Sequence, residues 1–242
     1  MRLPLLTLLT TLTSLLLGGS VLAAELVFLA PTNHSEPLAR FEQGRLRGGL
    51  LKDVGEALAR RTGQTARFVS MPSKRVGAAL RDGEADLVCY VMPGWIEGDF
   101  HWMEGLFSDA GLVVSHARAL PIAQLTELRG RRIGTVLGYR YPELEAALGA
   151  NFMRLDARDT GSNLTKLASG LVDHAFVERS AWIHFQRRHP EADVREALVV
   201  SEFSTGCAMS RRSTHSPALI TQALQAMRAS GELARLLAPY GL

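Results

Sequence analysis

Short apolar runs alternate with segments whose apolar residues recur at helical spacing, starting near residue 26. Residues 26–29 form a continuous apolar run, which predicts a buried strand. Leu51, Val54 and Leu58 lie three or four positions apart and predict a helix over residues 50–62. The other predicted elements of this half are strands at residues 65–70 and 85–92 and a short helix at 76–81. The order β-α-β-α-β is typical of a parallel sheet with crossover helices.

The same alternation begins again after a strand predicted at residues 111–115. The second half has predicted strands at 133–137, 151–155, 173–177, 198–202 and 206–210, and predicted helices at 142–148, 163–169, 180–188 and 217–237, the last interrupted at Gly231. In both halves a helix ends at a glycine and a buried strand follows an aspartate: Gly83 precedes Asp86, and Gly170 precedes Asp173. Two such runs in tandem predict an α/β chain with two similar lobes.

The first 24 residues have the pattern of a secretory signal peptide. Arg2 precedes an apolar stretch over residues 3–17, and small residues at 21–24 offer a cleavage point. The stretch of about 15 residues is shorter than the ~20 that a membrane-spanning helix needs. No cysteine stands directly after this stretch, at the place where lipid would be attached, so a lipid anchor is not expected. We expect a cleaved signal, a periplasmic location and no membrane anchor.

The charges of the chain are nearly balanced, with 27 Lys and Arg against 24 Asp and Glu. Such a small and dispersed excess gives no electrostatic footprint for nucleic acid or for an anionic membrane. The histidines lack the spacing of metal ligands, so neither a metal site nor a cofactor is expected. No nucleophile is paired with a base by spacing, so we do not expect an enzyme.

Five short motifs follow one another along residues 25–242. They are GxxxD from Gly49, ALxxGxAD from Ala79, LxxLRGRRIG from Leu125, LxxGxVD from Leu167 and ALxxMxxxGEL from Ala223. The order and spacing of these motifs are the features compared. By them the chain resembles the extracellular solute-binding proteins of family 3, the periplasmic receptors of polar amino-acid importers.

The resemblance implies a two-lobed α/β periplasmic-binding-protein fold of type II, with two mixed sheets joined by two hinge strands. Residues 25–111 with 210–242 would form lobe one, and residues 115–205 would form lobe two. The chain would cross between the lobes at residues 111–115 and return at 206–210. Hinge closure would trap a small polar solute, amino-acid-like or a related organic ion, in the cleft between the lobes. The implied partners are this ligand and an ABC permease, and the implied state is a monomer.

Cys89 and Cys207 are the two cysteines of the sequence. An oxidising compartment permits a disulfide between them, and the family fold implies that the return crossing with Cys207 runs beside the strand with Cys89. The alternative is two separate buried thiols, since cysteine is among the most buried residue types.

The candidate ligand contacts lie in loops after the predicted strands, because open α/β sheets bind ligands at the carboxyl ends of their strands. Amino-acid receptors of this family carry an arginine for the ligand's α-carboxylate, and the matching position near Gly98 has none. The usual acidic residue of the first loop is also missing, and Asn33 stands in that loop. Glu178 matches the acidic residue of the second lobe and could pair with a ligand ammonium. Alternatively, it is a surface residue paired with Arg179.

A second candidate contact is the loop of Gly138, Tyr139 and Arg140, which joins a predicted strand to a predicted helix. Backbone N–H groups and the helix dipole make such a loop a potential anion site, and Arg140 adds a forked donor. The alternative is an ordinary connecting loop.

The remaining candidate ligand contacts are Ser73, Arg75, Pro93 and Trp95. Ser73 and Arg75 belong to a segment that resembles an aromatic-x-Arg motif of some family branches. Trp95 could stack on a ligand from a loop rich in glycine and proline. The alternative is that these residues do not contact a ligand and are surface residues at the start of a helix or packing residues of the core.

Two further functions remain compatible with the sequence. A few proteins of the family are dehydratases of carbocyclic acids, and Glu178 would then act as the general acid. A ligand sensor or accessory protein would use the same cleft as an importer's receptor.

Overall fold

The computed structural model describes residues 24–242, and the predicted signal peptide, residues 1–24, lies outside them except for its last residue. The strands are β1 (Glu25–Pro31), β2 (Arg40–Glu42), β3 (Arg45–Gly48), β4 (Thr65–Met71), β5 (Leu87–Val91), β6 (Phe100–His116), β7 (Arg132–Val136), β8 (Met153–Ala157), β9 (His174–Glu178) and β10 (Val194–Ser210). The α-helices are α1 (Leu50–Arg61), α2 (Ser73–Asp82), α3 (Pro142–Leu148), α4 (Thr160–Ala168), α5 (Arg179–Arg188), α6 (Pro217–Ala229) and α7 (Glu232–Leu237). Within residues 24–242, none of the helices combines the length and apolarity that crossing a bilayer requires.

Eight strands form one mixed sheet in the order β4-β1-β5-β10-β6-β9-β7-β8. β1 pairs in parallel with β4 and β5, and β7 pairs in parallel with β8 and β9. These two parallel groups flank β6 and β10, which run antiparallel through the middle. The resemblance implied two mixed sheets joined by two hinge strands. Hydrogen bonds join them into one, because β6 and β10 are each 17 residues long and extend through both groups.

The two segments expected to cross between the lobes, residues 111–115 and 206–210, are parts of β6 and β10. Gly111 pairs with Ser201 and Gly206 pairs with Glu104, so the two predicted crossing segments do not run beside each other. The first segment pairs with β9 and the second pairs with β5. The sequence did not reveal the first part of β6, because exposed polar residues such as Glu104 interrupt its apolar pattern.

Four apolar cores cover the two faces of the sheet. At one end, α1 and α6 pack on one face through residues such as Leu58, and α2 packs on the other through Leu80. At the opposite end, α4 and α5 pack on one face and α3 on the other. Along β6, Phe107 belongs to a core of the first end and Ala110 to a core of the second. This confirms the predicted two-lobed α/β fold, in which β1, β4 and β5 mark the first lobe and β7, β8 and β9 mark the second.

Cys89 on β5 and Cys207 on β10 form a disulfide inside the first lobe. The two cysteines are register partners in the pairing of these strands, and both are buried. Of the two alternatives that the sequence left open, the structure has the bridge.

Both halves contain a helix that ends at a glycine and is followed by an aspartate and a strand, and these glycines have the backbone conformation expected at helix ends. Gly83 and Gly170 adopt φ angles of 80° and 72° where α2 and α4 end, a region that favours glycine. Gly231 divides the predicted closing helix into α6 and α7. The hairpin of β2 and β3 was not predicted, because its strands are only 3 and 4 residues long.

Candidate functional site

A cavity of about 280 Å³ lies between the two lobes, at the carboxyl ends of β1, β5, β7 and β9. This is where open α/β sheets bind their ligands. The predicted ligand contacts that line the cavity are Ser73, Pro93, Trp95, Gly138, Tyr139, Arg140 and Glu178. The fold therefore brings loops that are distant in sequence to one concave surface.

Glu178 is the last residue of β9, and α5 follows it directly. Its Oε2 accepts a hydrogen bond of 3.3 Å from the hydroxyl of Thr160. Burial disfavours the charged carboxylate and raises the pKa of Glu178 to about 7, and the nearby charge of Asp109 acts in the same direction. The alternative pairing with Arg179 is not formed, since Arg179 instead lies 3.5 Å from Glu202. Glu178 therefore presents to the cavity a carboxyl group that titrates near neutral pH.

Asp109 supports the site from behind the cavity wall. Its Oδ2 accepts a hydrogen bond of 2.8 Å from the hydroxyl of Tyr90, and its Oδ1 accepts one of 3.1 Å from the backbone N–H of Ser180 at the start of α5. Tyr90 has a φ angle of 59°, which is unusual for a residue with a side chain. The bond to Asp109 fixes this tyrosine in the wall. Sequence reasoning missed Asp109, and its one signal is an aspartate within an otherwise apolar part of β6.

Aromatic side chains form one wall of the cavity in a continuous series of edge contacts. The ring centroids of Phe203 and Trp95 are 5.1 Å apart, and those of Trp95 and Tyr90 are 6.0 Å apart. His34 continues the series, 5.5 Å from Tyr90 and 5.9 Å from Tyr139. Sequence reasoning did not select His34, in the loop after β1, or Phe203, on β10, because these segments meet the other lining loops only in the folded chain.

Asn33, one of the predicted ligand contacts, does not line the cavity. It is buried, and its Nδ2 donates to the backbone oxygens of Leu137 at 2.8 Å and Arg158 at 3.1 Å in the second lobe. Its Oδ1 accepts a hydrogen bond of 2.8 Å from the backbone N–H of Ser73. The side-chain amide of Asn33 thus hydrogen-bonds to both lobes and does not face the cavity.

Contacts between the lobes continue beside Asn33. The hydroxyl of Tyr139 and Nδ1 of His34 are 2.6 Å apart. Burial lowers the pKa of His34 to about 4, so the ring is neutral at neutral pH. At the cavity rim, Nη1 of Arg140 lies 3.2 Å from Oε1 of Glu97 in the first lobe.

Two predicted basic contacts differ from the expectation. The side chain of Arg140 is 53% exposed and pairs with Glu97, so it stands at the mouth of the cavity and not on its floor. Arg75 is exposed on α2 and is not among the lining residues. Within residues 24–242, no group of three or more His, Cys, Asp or Glu side chains is arranged to hold a metal ion.

No protein-family model matches the chain, and no curated protein matches it in sequence. Solved structures share its fold. An ancestral arginine-binding protein bound to arginine has a TM-score of 0.74 at 20% identity, covering 91% of this chain and 100% of that chain. AbpA from Streptococcus pneumoniae, an amino acid ABC transporter substrate-binding protein bound to L-arginine, has a TM-score of 0.71 at 20% identity, covering 90% of this chain and 94% of that chain.

A third structure of the same fold is the ancestral amino acid-binding protein AncCDT-1, a precursor of cyclohexadienyl dehydratase. Its TM-score is 0.73 at 14% identity, and the match covers 90% of this chain and 95% of that chain. At such identities the likeness establishes the fold: this chain has the two-lobed architecture of amino-acid-binding proteins.

Proposed function

We propose that this protein captures a small polar organic molecule between its lobes and delivers it to an ABC importer. The observation that carries the proposal is the inter-lobe cavity at the strand ends, with the carboxyl group of Glu178 facing into it. AbpA has this fold and is a substrate-binding protein of an ABC transporter, which favours the same role here.

Binding works through closure of the two lobes, which we propose to be residues 25–111 with 210–242 and residues 115–205. A ligand that contacts both lobes stabilises the closed arrangement in proportion to its extra affinity for it. The four separate cores support this division, and the packing of Cys207 in a core of the first lobe favours a return boundary before Gly206. β6 and β10 extend through both lobes, and bending occurs about them.

The proposed place of action is the periplasm. Residues 1–24 would direct export and be removed, as their signal-peptide pattern indicates. The released chain would act as a monomer that docks on its permease after closing on the solute.

A thermal-denaturation screen of amino acids, amines, organic acids and short peptides tests the proposal. A ligand at about a hundredfold excess over its Kd stabilises the folded state by ~2.7 kcal/mol. We expect a stabilising ligand with the wild type, weaker stabilisation with Glu178→Gln, and an unchanged response with Arg75→Ala, which lies outside the cavity. Equal stabilisation of the wild type and Glu178→Gln would show that Glu178 does not contact the ligand. If no compound in the screen stabilises the wild type, solute binding is contradicted.

The second candidate function is an enzyme. Two observations favour it: a carboxyl group whose pKa near 7 suits proton transfer, and the fold shared with AncCDT-1. NMR of each bound compound after long incubation separates the two functions. Recovery of unchanged compound supports binding alone, whereas product formation that Glu178→Gln abolishes supports the enzyme.

A further inference from the structure

Two backbone hydrogen-bond donors at helix N-termini beside the cavity are already occupied by oxygen atoms of the protein. The backbone N–H of Ser73, at the start of α2, donates to Oδ1 of Asn33 at 2.8 Å. The backbone N–H of Ser180, at the start of α5, donates to Oδ1 of Asp109 at 3.1 Å. Helix N-termini are the backbone positions that bind carboxylates and phosphates most readily, so the chain itself blocks two of them beside the cavity.

The hydroxyl of Tyr90 is used in the same way. It donates to Oδ2 of Asp109 at 2.8 Å, inside the protein and away from a ligand. The hydroxyl of Ser73 is buried and has no hydrogen-bond partner among the residues that the structure describes. Ser73 lines the cavity, and its hydroxyl can either accept a hydrogen bond from a ligand or donate one to it.

The charges around the cavity favour a cation. The acidic lining residues are Glu143, Glu178 and Glu202, while Arg140 is the one arginine or lysine among the described residues that line it. Arg140 pairs with Glu97 and is 53% exposed, so water and a carboxylate already screen its charge. Glu202 is screened in the same way by exposure and by Arg179, so Glu178 is the acid that a bound cation would meet inside the cavity.

Aromatic rings add a second attraction for a cation. The rings that line the cavity are those of Tyr90, Trp95, Tyr139, Tyr141, Phe176 and Phe203. The negative faces of such rings attract ammonium groups by about 0.5–2 kcal/mol each, depending on desolvation. The cavity volume of about 280 Å³ is just below that of typical ligand pockets, which is roughly 300–1,000 Å³.

We propose that the ligand is a small organic amine or quaternary ammonium compound with an apolar body and no carboxylate. Its cationic group lies against Glu178, and its apolar body lies against the aromatic wall that includes Tyr90, Trp95 and Phe203. This assignment rests on the proposed binding function, because it names the ligand class of the same cleft. An α-amino acid is disfavoured because its carboxylate would enter a cavity lined by three glutamates, beside two helix N-termini that already bind protein oxygens.

Isothermal titration calorimetry with ligand pairs that differ only by a carboxylate tests the assignment. Phenethylamine is compared with phenylalanine, and agmatine with arginine. We expect at least one amine to bind about tenfold or more tightly than its parent amino acid. Equal or tighter binding of the amino acids overturns the assignment. Absence of binding by every amine also overturns it, and the broader thermal screen then decides whether the proposed binding function survives with a neutral or anionic ligand.

Choline and phenethyl-trimethylammonium give an independent readout, because their charge does not change with pH. The charged and titratable residues that line the cavity with Glu178 are His34, Arg140, Glu143, Glu202 and three tyrosines, and Asp109 lies behind the wall. Burial lowers the pKa of His34 to about 4, so its ring is neutral near pH 7. Burial raises the pKa of all three tyrosines, so they stay neutral near pH 7. Affinity for a quaternary ligand should therefore rise as the pH rises through about 7, where Glu178 loses its proton.

Matched variants separate a ligand role from a structural one. Glu178→Gln should abolish the pH dependence and weaken amine binding about tenfold or more, with wild-type circular dichroism. Trp95→Phe should retain most of the affinity and Trp95→Leu should lose it, because only an aromatic ring has the negative face. Wild-type affinity of Glu178→Gln for the tightest amine contradicts the assignment.

Discussion

At the scale of a single residue, the buried position of Glu178 opposes the ionisation of its carboxyl group. Its position at the end of β9 places it in the cavity, where burial raises its pKa to about 7 from the ordinary value of 4.5. In the unfolded chain the same carboxyl group ionises near its ordinary pKa. The folded state therefore binds the proton more tightly, and its stability from this group is present at low pH and lost as the pH rises through about 7.

The first prediction follows from that sign. Between about pH 5 and about pH 8, the wild type should lose about 2–3 kcal/mol of unfolding free energy relative to Glu178→Gln. Urea denaturation of both proteins at the two pH values, without added ligand, measures the difference. Parallel pH dependence of wild type and variant would show that Glu178 titrates normally in the folded state.

A second residue-scale prediction concerns the bond between Tyr90 and Asp109. Tyr90→Phe removes a buried hydrogen bond to a carboxylate and should cost about 1–3 kcal/mol of stability. Tyr240→Phe is the matched control, because Tyr240 also donates to an aspartate, Asp53, but in a less buried place. Chemical denaturation measures both variants. A loss for Tyr90→Phe no larger than that of the control would mean that the buried bond adds no special stability.

At the scale of elements, β5 and β10 are joined covalently by Cys89 and Cys207 across 118 residues of sequence. Closing so long a loop restricts the unfolded chain, which in the chain-entropy model is worth up to about 5 kcal/mol. We predict that the double variant Cys89→Ala, Cys207→Ala loses about 2–5 kcal/mol. A reductant should destabilise the wild type and leave the double variant unchanged. Equal stability with and without reductant in the wild type would show that the bridge does not form.

The sequence predicted the elements whose signals are local. The apolar spacing of Leu51, Val54 and Leu58 is complete within α1, and Gly83 marks the end of α2 by its backbone conformation alone. The full lengths of β6 and β10 were not predictable, since their polar residues are explained only by the partner strand and the solvent on one face. The pairing of Gly111 with Ser201 joins residues that no local pattern relates.

At the scale of the whole molecule, the candidate site was predictable in position but only partly in chemistry. The rule that ligands bind at strand ends identified Glu178 and Trp95, which line the cavity. The rule also selected Asn33. Its loop is correctly placed, but its side-chain amide donates hydrogen bonds to backbone oxygens of the second lobe. Contacts between the lobes decide which loop residue faces the cavity. These contacts cannot be predicted from the sequence of either lobe alone.

Those contacts lead to a prediction about closure. Asn33→Ala removes two hydrogen bonds to the second lobe, at Leu137 and Arg158, and so favours the open arrangement. We expect ligand affinity to fall about tenfold, equivalent to ~1.4 kcal/mol, and small-angle X-ray scattering to show a larger radius of gyration. Glu97→Gln removes only the exposed pair with Arg140 and should change either quantity little, because exposed ion pairs contribute about 0–1 kcal/mol. If Asn33→Ala keeps both the affinity and the radius of the wild type, closure does not depend on this buried amide.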